Sequence, residues 1–157
     1  METLKAELDI ESNDFRILAI HGLGGSGKTT IAKAFYNRVF NLFKGSCFLE
    51  NVSKSLTDDH VIKLQNKLLH EILRDGSLKV GSKSKGIEVI KKRCSHEKIL
   101  LILDDVDDSN QIENFLGKCD WFAPGSRLII YNNKRRMHAK KSWTSFFHPQ
   151  DHGLGST

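Results

Sequence analysis

The residue types best suited to phosphate chemistry lie together at positions 22–30, GLGGSGKTT. They match G-x-x-x-x-G-K-[ST], the Walker A pattern. Gly22 and Gly27 frame the loop, and Gly24, Gly25 and Ser26 fill it. Without Cβ atoms, the glycines let the backbone curl tightly and approach a phosphate. Successive N–H groups from about Gly24 to Thr29 can then form an anion nest. The Lys28 ammonium supplies a point charge for β- and γ-phosphates. The Thr29 hydroxyl suits a Mg²⁺ ion, and Thr30 completes the cofactor-binding run. A helix beginning near Lys28 would direct its N-terminal partial charge at the same anion.

A second group of oxygen ligands follows about 76 residues later. Residues 98–103, KILLIL, form a continuous apolar run that ends in Asp104-Asp105. Such runs are strands buried on both faces, as in parallel sheets. An apolar strand followed by Asp is the Walker B arrangement, with the carboxylate at the strand's C-terminal end where α/β sheets collect ligands. Asp104 is the metal residue of this reading, directly or through water. Asp105 is the catalytic candidate, a general base for an attacking water. A capping or turn aspartate is the plainer alternative; the upstream loop favours the metal role. Paired acids point to ATPase-type chemistry. The guanine-reading N-K-x-D is missing, since Arg135-Arg136 follow Asn133-Lys134.

The elements needed to hold these groups are legible around them. Residues 15–21, FRILAIH, read as a buried strand, and Ile31, Ala34, Phe35, Val39 and Leu42 recur at helical spacing after the loop. Residues 46–50 read as a short strand. Residues 60–74 form an amphipathic helix with Val61, Leu64, Leu68 and Ile72 on one stripe, started by Asp58 or Asp59 and ended by Gly76. A shorter helix over 86–96 turns Ile87, Ile90 and Cys94 inward. After the Walker B strand, Asp108 and Gln111 offer a capping-box start to a helix over 110–117, with Ile112, Phe115 and Leu116 inward. WFAPG at 121–125 is a turn, and SRLIIY at 126–131 is the last convincing strand. Strands alternating with helices mean a parallel sheet, an α/β three-layer P-loop NTPase fold. The division expected is a polar lead-in at 1–14, a nucleotide-binding subdomain at 15–131 and a divergent basic tail at 132–157. The tail has no sustained period, and no element is assigned to it.

Composition narrows the function classes. A chain of 157 residues is one domain, or one with a damaged end. No run of about 18 apolar residues offers a membrane span. The first fourteen residues carry acids and no apolar segment, unlike a secretory leader. The net charge is +5, but Tyr131–Thr157 carries five of the basic residues and one acid, leaving +1 for the rest. Global basicity therefore argues for no specific nucleic-acid surface. Cys47, Cys94 and Cys119 are odd in number and far apart, and read as free buried thiols in a reducing compartment.

With these motifs in order, the sequence resembles the NB-ARC domain of plant disease-resistance proteins, the subclass with an N-terminal TIR domain above all. The resemblance rests on ILAIHGLGGSGKTTIAKAFYNRVF, FKGSCFLENVSK, KILLILDDVDD and WFAPGSRLII, and covers residues 13–130. It implies an intracellular immune-receptor switch, cytoplasmic or also nuclear, that holds ADP at rest and exchanges it for ATP with Mg²⁺. It also implies slow hydrolysis and full-length resistance proteins as partners. By the same resemblance, Lys28 binds phosphate, Thr29 and Asp104 hold the metal, and Asp105 is the base. The chain departs from the family after the last strand. Where the family continues I-I-I-T-T-R-D, this sequence reads Leu128, Ile129, Ile130, Tyr131, Asn132, Asn133, Lys134. Asn133 stands where an arginine senses the γ-phosphate. The later G-L-P-L and M-H-D motifs are missing, which describes an incomplete, truncated NB-ARC. Two rivals to a nucleotide-binding module remain: a slow ATPase using Asp105, and an adapter or decoy that no longer needs nucleotide.

Overall fold

A computed structural model describes residues 8–22, 28–54, 57–132 and 144–147. In chain order the elements are β1 (Arg16–His21), α1 (Lys28–Val39), β2 (Gly45–Leu49), α2 (Asp58–Leu73), α3 (Lys83–Cys94), β3 (Ile99–Val106), α4 (Ser109–Leu116), β4 (Arg127–Asn132) and β5 (Thr144–Phe147). The strands make one sheet in the order β2-β3-β4-β1-β5. Every neighbouring pair is parallel, so all C-terminal ends open on one edge. β4 lies between β1, which feeds the phosphate-loop sequence, and β3, which carries the two acids.

Successive side chains of a strand point to opposite faces, and here both faces are covered. Leu18 and Ile20 of β1, Leu100 and Ile102 of β3, and Ile129 and Tyr131 of β4 cluster with Ala32, Phe35 and Val39 of α1. Ala19, Leu101, Leu103, Leu128 and Ile130 cluster instead with the apolar stripes of α2, α3 and α4. The result is the three-layer α/β architecture that the alternating pattern predicts. Val61, Leu64, Leu68 and Ile72 are all buried, as are Ile112, Phe115 and Leu116. The three cysteines are buried and form no disulfide with one another. No described helix is long and apolar enough to cross a membrane.

Local chemistry moved several boundaries. Thr57, not Asp58 or Asp59, caps α2 by accepting from the His60 N–H. The two aspartates fall in the first turn, where their charge still suits the helix dipole. The helix ends at Arg74 in the left-handed region (φ 53°), two residues before Gly76. α3 starts at Lys83 behind a Ser82 cap, earlier than expected. Gly86 lies inside it because a Cβ there would sit 2.0 Å from the Gln65 side-chain oxygen. On α1 the inward positions include Ala32, whereas Ala34 is exposed. Leu42 is exposed too, since it falls in a 3₁₀ turn, Phe40–Leu42, whose tighter repeat leaves the α stripe. The 121–125 turn closes as expected: Gly125 takes φ 85°, and the Ser126 N–H donates to the Ala123 carbonyl at 3.1 Å.

The end of the chain departs from the sequence pattern. β4 extends to Asn132, and a strand follows at Thr144–Phe147, paired with β1 on its other side. Four residues are too few to show period-2 alternation, and a single neighbour supports them. The rest of the tail lies outside the described residues.

The N-terminal edge of the sheet is closed by the lead-in. Leu8 is buried against the α1 side. Lys98 Nζ donates to the Ile10 carbonyl at 2.9 Å. The guanidinium of Arg127, wholly buried, donates to the carbonyls of Leu8, Asp9, Ser12, Asp14 and Ser126.

Candidate functional site

The opposite edge collects the residues singled out for chemistry. Lys28 opens α1 immediately after the loop, and the Gly22 N–H donates to the Asn132 carbonyl at 3.2 Å. The loop entrance is thereby fixed to the end of β4. Gly24, Gly25, Ser26 and Gly27 lie outside the described residues. Thr30 is exposed on α1.

Thr29 and Asp104, 75 positions apart, are brought together. The Thr29 hydroxyl donates to Asp104 Oδ2 at 2.7 Å. β3 points Leu103 to the α2–α4 face, so Asp104 turns to the α1 face, beneath the helix start. Asp104 is buried while Thr29 is exposed, so the pair has one side toward solvent. Burial raises the Asp104 carboxyl above the ordinary carboxylate range; the Thr29 hydrogen bond opposes this, and the charges of Asp105 and Glu50 add to it.

Asp105 lies beside this pair in a different conformation. Its φ is 61°, left-handed for a residue with a Cβ. The β3–β4 register shifts between Leu103 and Val106, which marks a bulge at the acids. Bulges re-aim side chains beside functional sites. Here Asp105 Oδ2 accepts from the Ser53 hydroxyl at 2.6 Å, in the turn after β2.

Three further residues shape the site and were not found by motif. The Asn132 side chain donates to the Val106 carbonyl at 2.8 Å and the Asp107 carbonyl at 3.4 Å, tying β4 to the end of β3. Tyr131 is buried on the α1 face, and its hydroxyl has no hydrogen-bond partner among the described residues. His21 is buried at the end of β1, and burial lowers its pKa, favouring neutral imidazole. The available signal was a polar pair, Tyr131-Asn132, closing an otherwise apolar strand. Reading it requires knowing that β4 is the strand inserted between β1 and β3.

The oxygen set suits a hard cation. Around six-coordinate Mg²⁺, with ligands near 2.0–2.1 Å, adjacent ligand oxygens stand about 2.9 Å apart. The 2.7 Å separation of Thr29 Oγ1 and Asp104 Oδ2 is close to that edge. Among the described residues no cluster of three or more His, Cys, Asp or Glu could form a cage. A cation here would complete its shell with phosphate and water, as Mg²⁺ commonly does.

A parallel sheet, a phosphate-loop sequence running into a helix start, and an acid from a nearby strand define a P-loop nucleotide-binding protein. Residues 1–135 match the NB-ARC domain model. The chain belongs to the NB-ARC family. It is 40% identical over 131 residues to disease resistance protein RUN1 of Vitis rotundifolia, covering 83% of this chain and 10% of that protein. It is 34% identical over 147 residues to TMV resistance protein N of Nicotiana glutinosa, covering 89% of this chain and 13% of that protein. Among solved structures it is similar to a signal transduction ATPase with a tetratricopeptide repeat sensor from Pyrococcus horikoshii. That match has TM-score 0.49 and 18% identity, over 98% of this chain and 25% of that one. The chain spans roughly a tenth of the length of these plant relatives.

Proposed function

We propose that this chain binds ADP or ATP with Mg²⁺ and serves as the nucleotide-holding part of a plant immune switch. The Thr29–Asp104 contact at 2.7 Å carries the reading, because it joins the helix after the phosphate loop to the strand with the acids. In this reading Gly22, Gly24, Gly25, Ser26 and Gly27 shape the loop, and Lys28, Thr29 and Thr30 meet the phosphates. Thr29 and Asp104 hold the cation. When bound, the cation neutralises phosphate charge and orients the polyphosphate. Full-length resistance proteins are the proposed partners, and the cytoplasm or nucleus the proposed location; three buried cysteines that form no disulfide with one another support a reducing compartment.

Hydrolysis by Asp105 is slow or absent in this reading. Its carboxylate is engaged by Ser53, and the family's arginine position is Asn133. Mass spectrometry of nucleotide co-purifying with the folded chain, followed by calorimetry, tests the proposal. Wild type should bind ADP or ATP, and Lys28→Ala or Thr29→Ala should abolish binding. Equal affinity in wild type and both variants would overturn it and favour a nucleotide-independent adapter.

A further inference from the structure

Tyr131 is one of the buried polar side chains whose outer atom finds no partner among the described residues. It is 1% exposed, yet its hydroxyl meets no donor or acceptor among the described residues. Buried tyrosine hydroxyls nearly always find a partner, and an orphan calls for a specific explanation such as a missing ion or water.

Its position supplies that explanation. Leu103 pairs with Ile130 and Val106 with Asn132, so the bulged acids lie opposite Tyr131 on the neighbouring strand. Tyr131 and Asp104 both turn to the α1 face. Tyr131 shares a buried cluster with Ala32, which follows Thr29 by one turn on the same side of α1. Burial, then the charge of Asp104, raises the tyrosine pKa, so the phenol remains a protonated donor at neutral pH.

We infer that the Tyr131 hydroxyl is a positioning residue of the metal–nucleotide site. It donates to a water shared with Asp104, and that water takes its place in the cation's shell only when the site is filled. Thr29 and Asp104 bond each other directly, whereas Tyr131 acquires its partner with the ligand. The inference rests on the nucleotide reading proposed above.

The experiment compares wild type with Tyr131→Phe, using Mg-ADP, Mg-ATP and metal-free nucleotide with EDTA. The phenylalanine variant should melt at the same temperature as wild type or higher without ligand, since it removes an unsatisfied group. Its affinity for Mg-nucleotide should fall about fivefold, the worth of one ordinary hydrogen bond, with metal-free affinity unchanged. The tyrosine doublet in ultraviolet resonance Raman spectra should shift toward the donor form on adding Mg-nucleotide. That shift should be absent from Tyr131→Phe, where Tyr36 is the remaining tyrosine. Binding by wild type with unchanged Mg-nucleotide affinity in Tyr131→Phe overturns this inference alone. So does a donor-type doublet already present without ligand and unaltered by it. A lower ligand-free melting temperature in the variant assigns the hydroxyl a purely structural bond and also overturns it. Failure of wild type to bind any nucleotide overturns the underlying reading as well.

Discussion

Two buried polar side chains stand near opposite ends of the same strand, and they are treated in opposite ways. At the start of β4, Arg127 gives its guanidinium hydrogens to five backbone carbonyls, at 2.5 to 3.2 Å. Near its end, Tyr131 is equally inaccessible and its hydroxyl has no partner among the described residues. Leaving a buried donor unsatisfied costs about 1–3 kcal/mol. The N-terminal edge of the sheet is completed by the chain itself, through the lead-in. The C-terminal edge carries the orphan hydroxyl, the left-handed Asp105, the bulge and the carboxylate with a raised pKa. Several departures from ordinary satisfaction thus gather where a ligand is proposed.

The comparison breaks most severely at its satisfied end. Arg127→Met leaves five carbonyls without their shared donor and releases residues 8–14 from the sheet. Each buried carbonyl left without a donor costs about 1–3 kcal/mol where water cannot reach it. Urea unfolding should show that loss, while the folded fraction keeps its nucleotide affinity. A loss below about 1 kcal/mol would mean that water enters and replaces the guanidinium, and the edge would no longer count as self-completed.

Asn132 sits between the two cases, beside Tyr131 but hydrogen-bonded like Arg127. Its amide spans the Val106 and Asp107 carbonyls across the bulge. Asn132→Ala should destabilise by about 1–3 kcal/mol. It should also weaken Mg-nucleotide binding, because the bulge that aims Asp104 and Asp105 loses its tie to β4. Calorimetry and denaturant titration on one preparation would read both effects. Lost stability with unaltered affinity would show that the acids are fixed without β4.

The fold was legible because it rests on patterns that local physics enforces. KILLIL cannot be a half-solvated strand, and the stripe of Val61, Leu64, Leu68 and Ile72 demands one buried helical face. The site was legible only as far as its residues are contiguous. Gly22–Thr30 is a single stretch, and Asp104-Asp105 ends an apolar run. Ser53, Tyr131 and Asn132 act through strand order and a bulge, and the polar pair Tyr131-Asn132 gains its meaning only once that order is known. β5 was invisible for a related reason: four residues against one neighbouring strand take their structure from the pairing. Caps misled at Asp58, where three adjacent residues, Thr57, Asp58 and Asp59, can all cap a helix and only backbone geometry selects Thr57.

A smaller effect tests whether Asp105 belongs with the unfinished edge. Ser53→Ala removes one part-buried hydrogen bond to a carboxylate and should cost about 1 kcal/mol. Mg-nucleotide affinity should remain within about twofold, while the rate of any phosphate release should change, with Ser53→Thr restoring the wild-type rate. An identical rate in all three proteins would confine Ser53 to loop packing.

The smallest stability change carries the most information because its sign is inverted. The folded-state pKa of Asp104 is raised, burial being the largest cause. For a carboxyl raised on folding, its contribution to stability is fully present below the unfolded-state pKa and is lost as pH rises through the folded-state value. At neutral pH without ligand, the buried carboxylate therefore weighs against the fold. Asp104→Asn keeps an acceptor for Thr29 and removes the charge, so the variant should melt slightly above wild type at pH 7. The difference should shrink as pH falls through the raised pKa, where wild type becomes neutral too. With Mg-nucleotide present the order should reverse, because wild type gains ligand stabilisation that the variant loses. A packing residue at this position has no means of producing that crossover: its substitution would lower stability with and without ligand, at every pH.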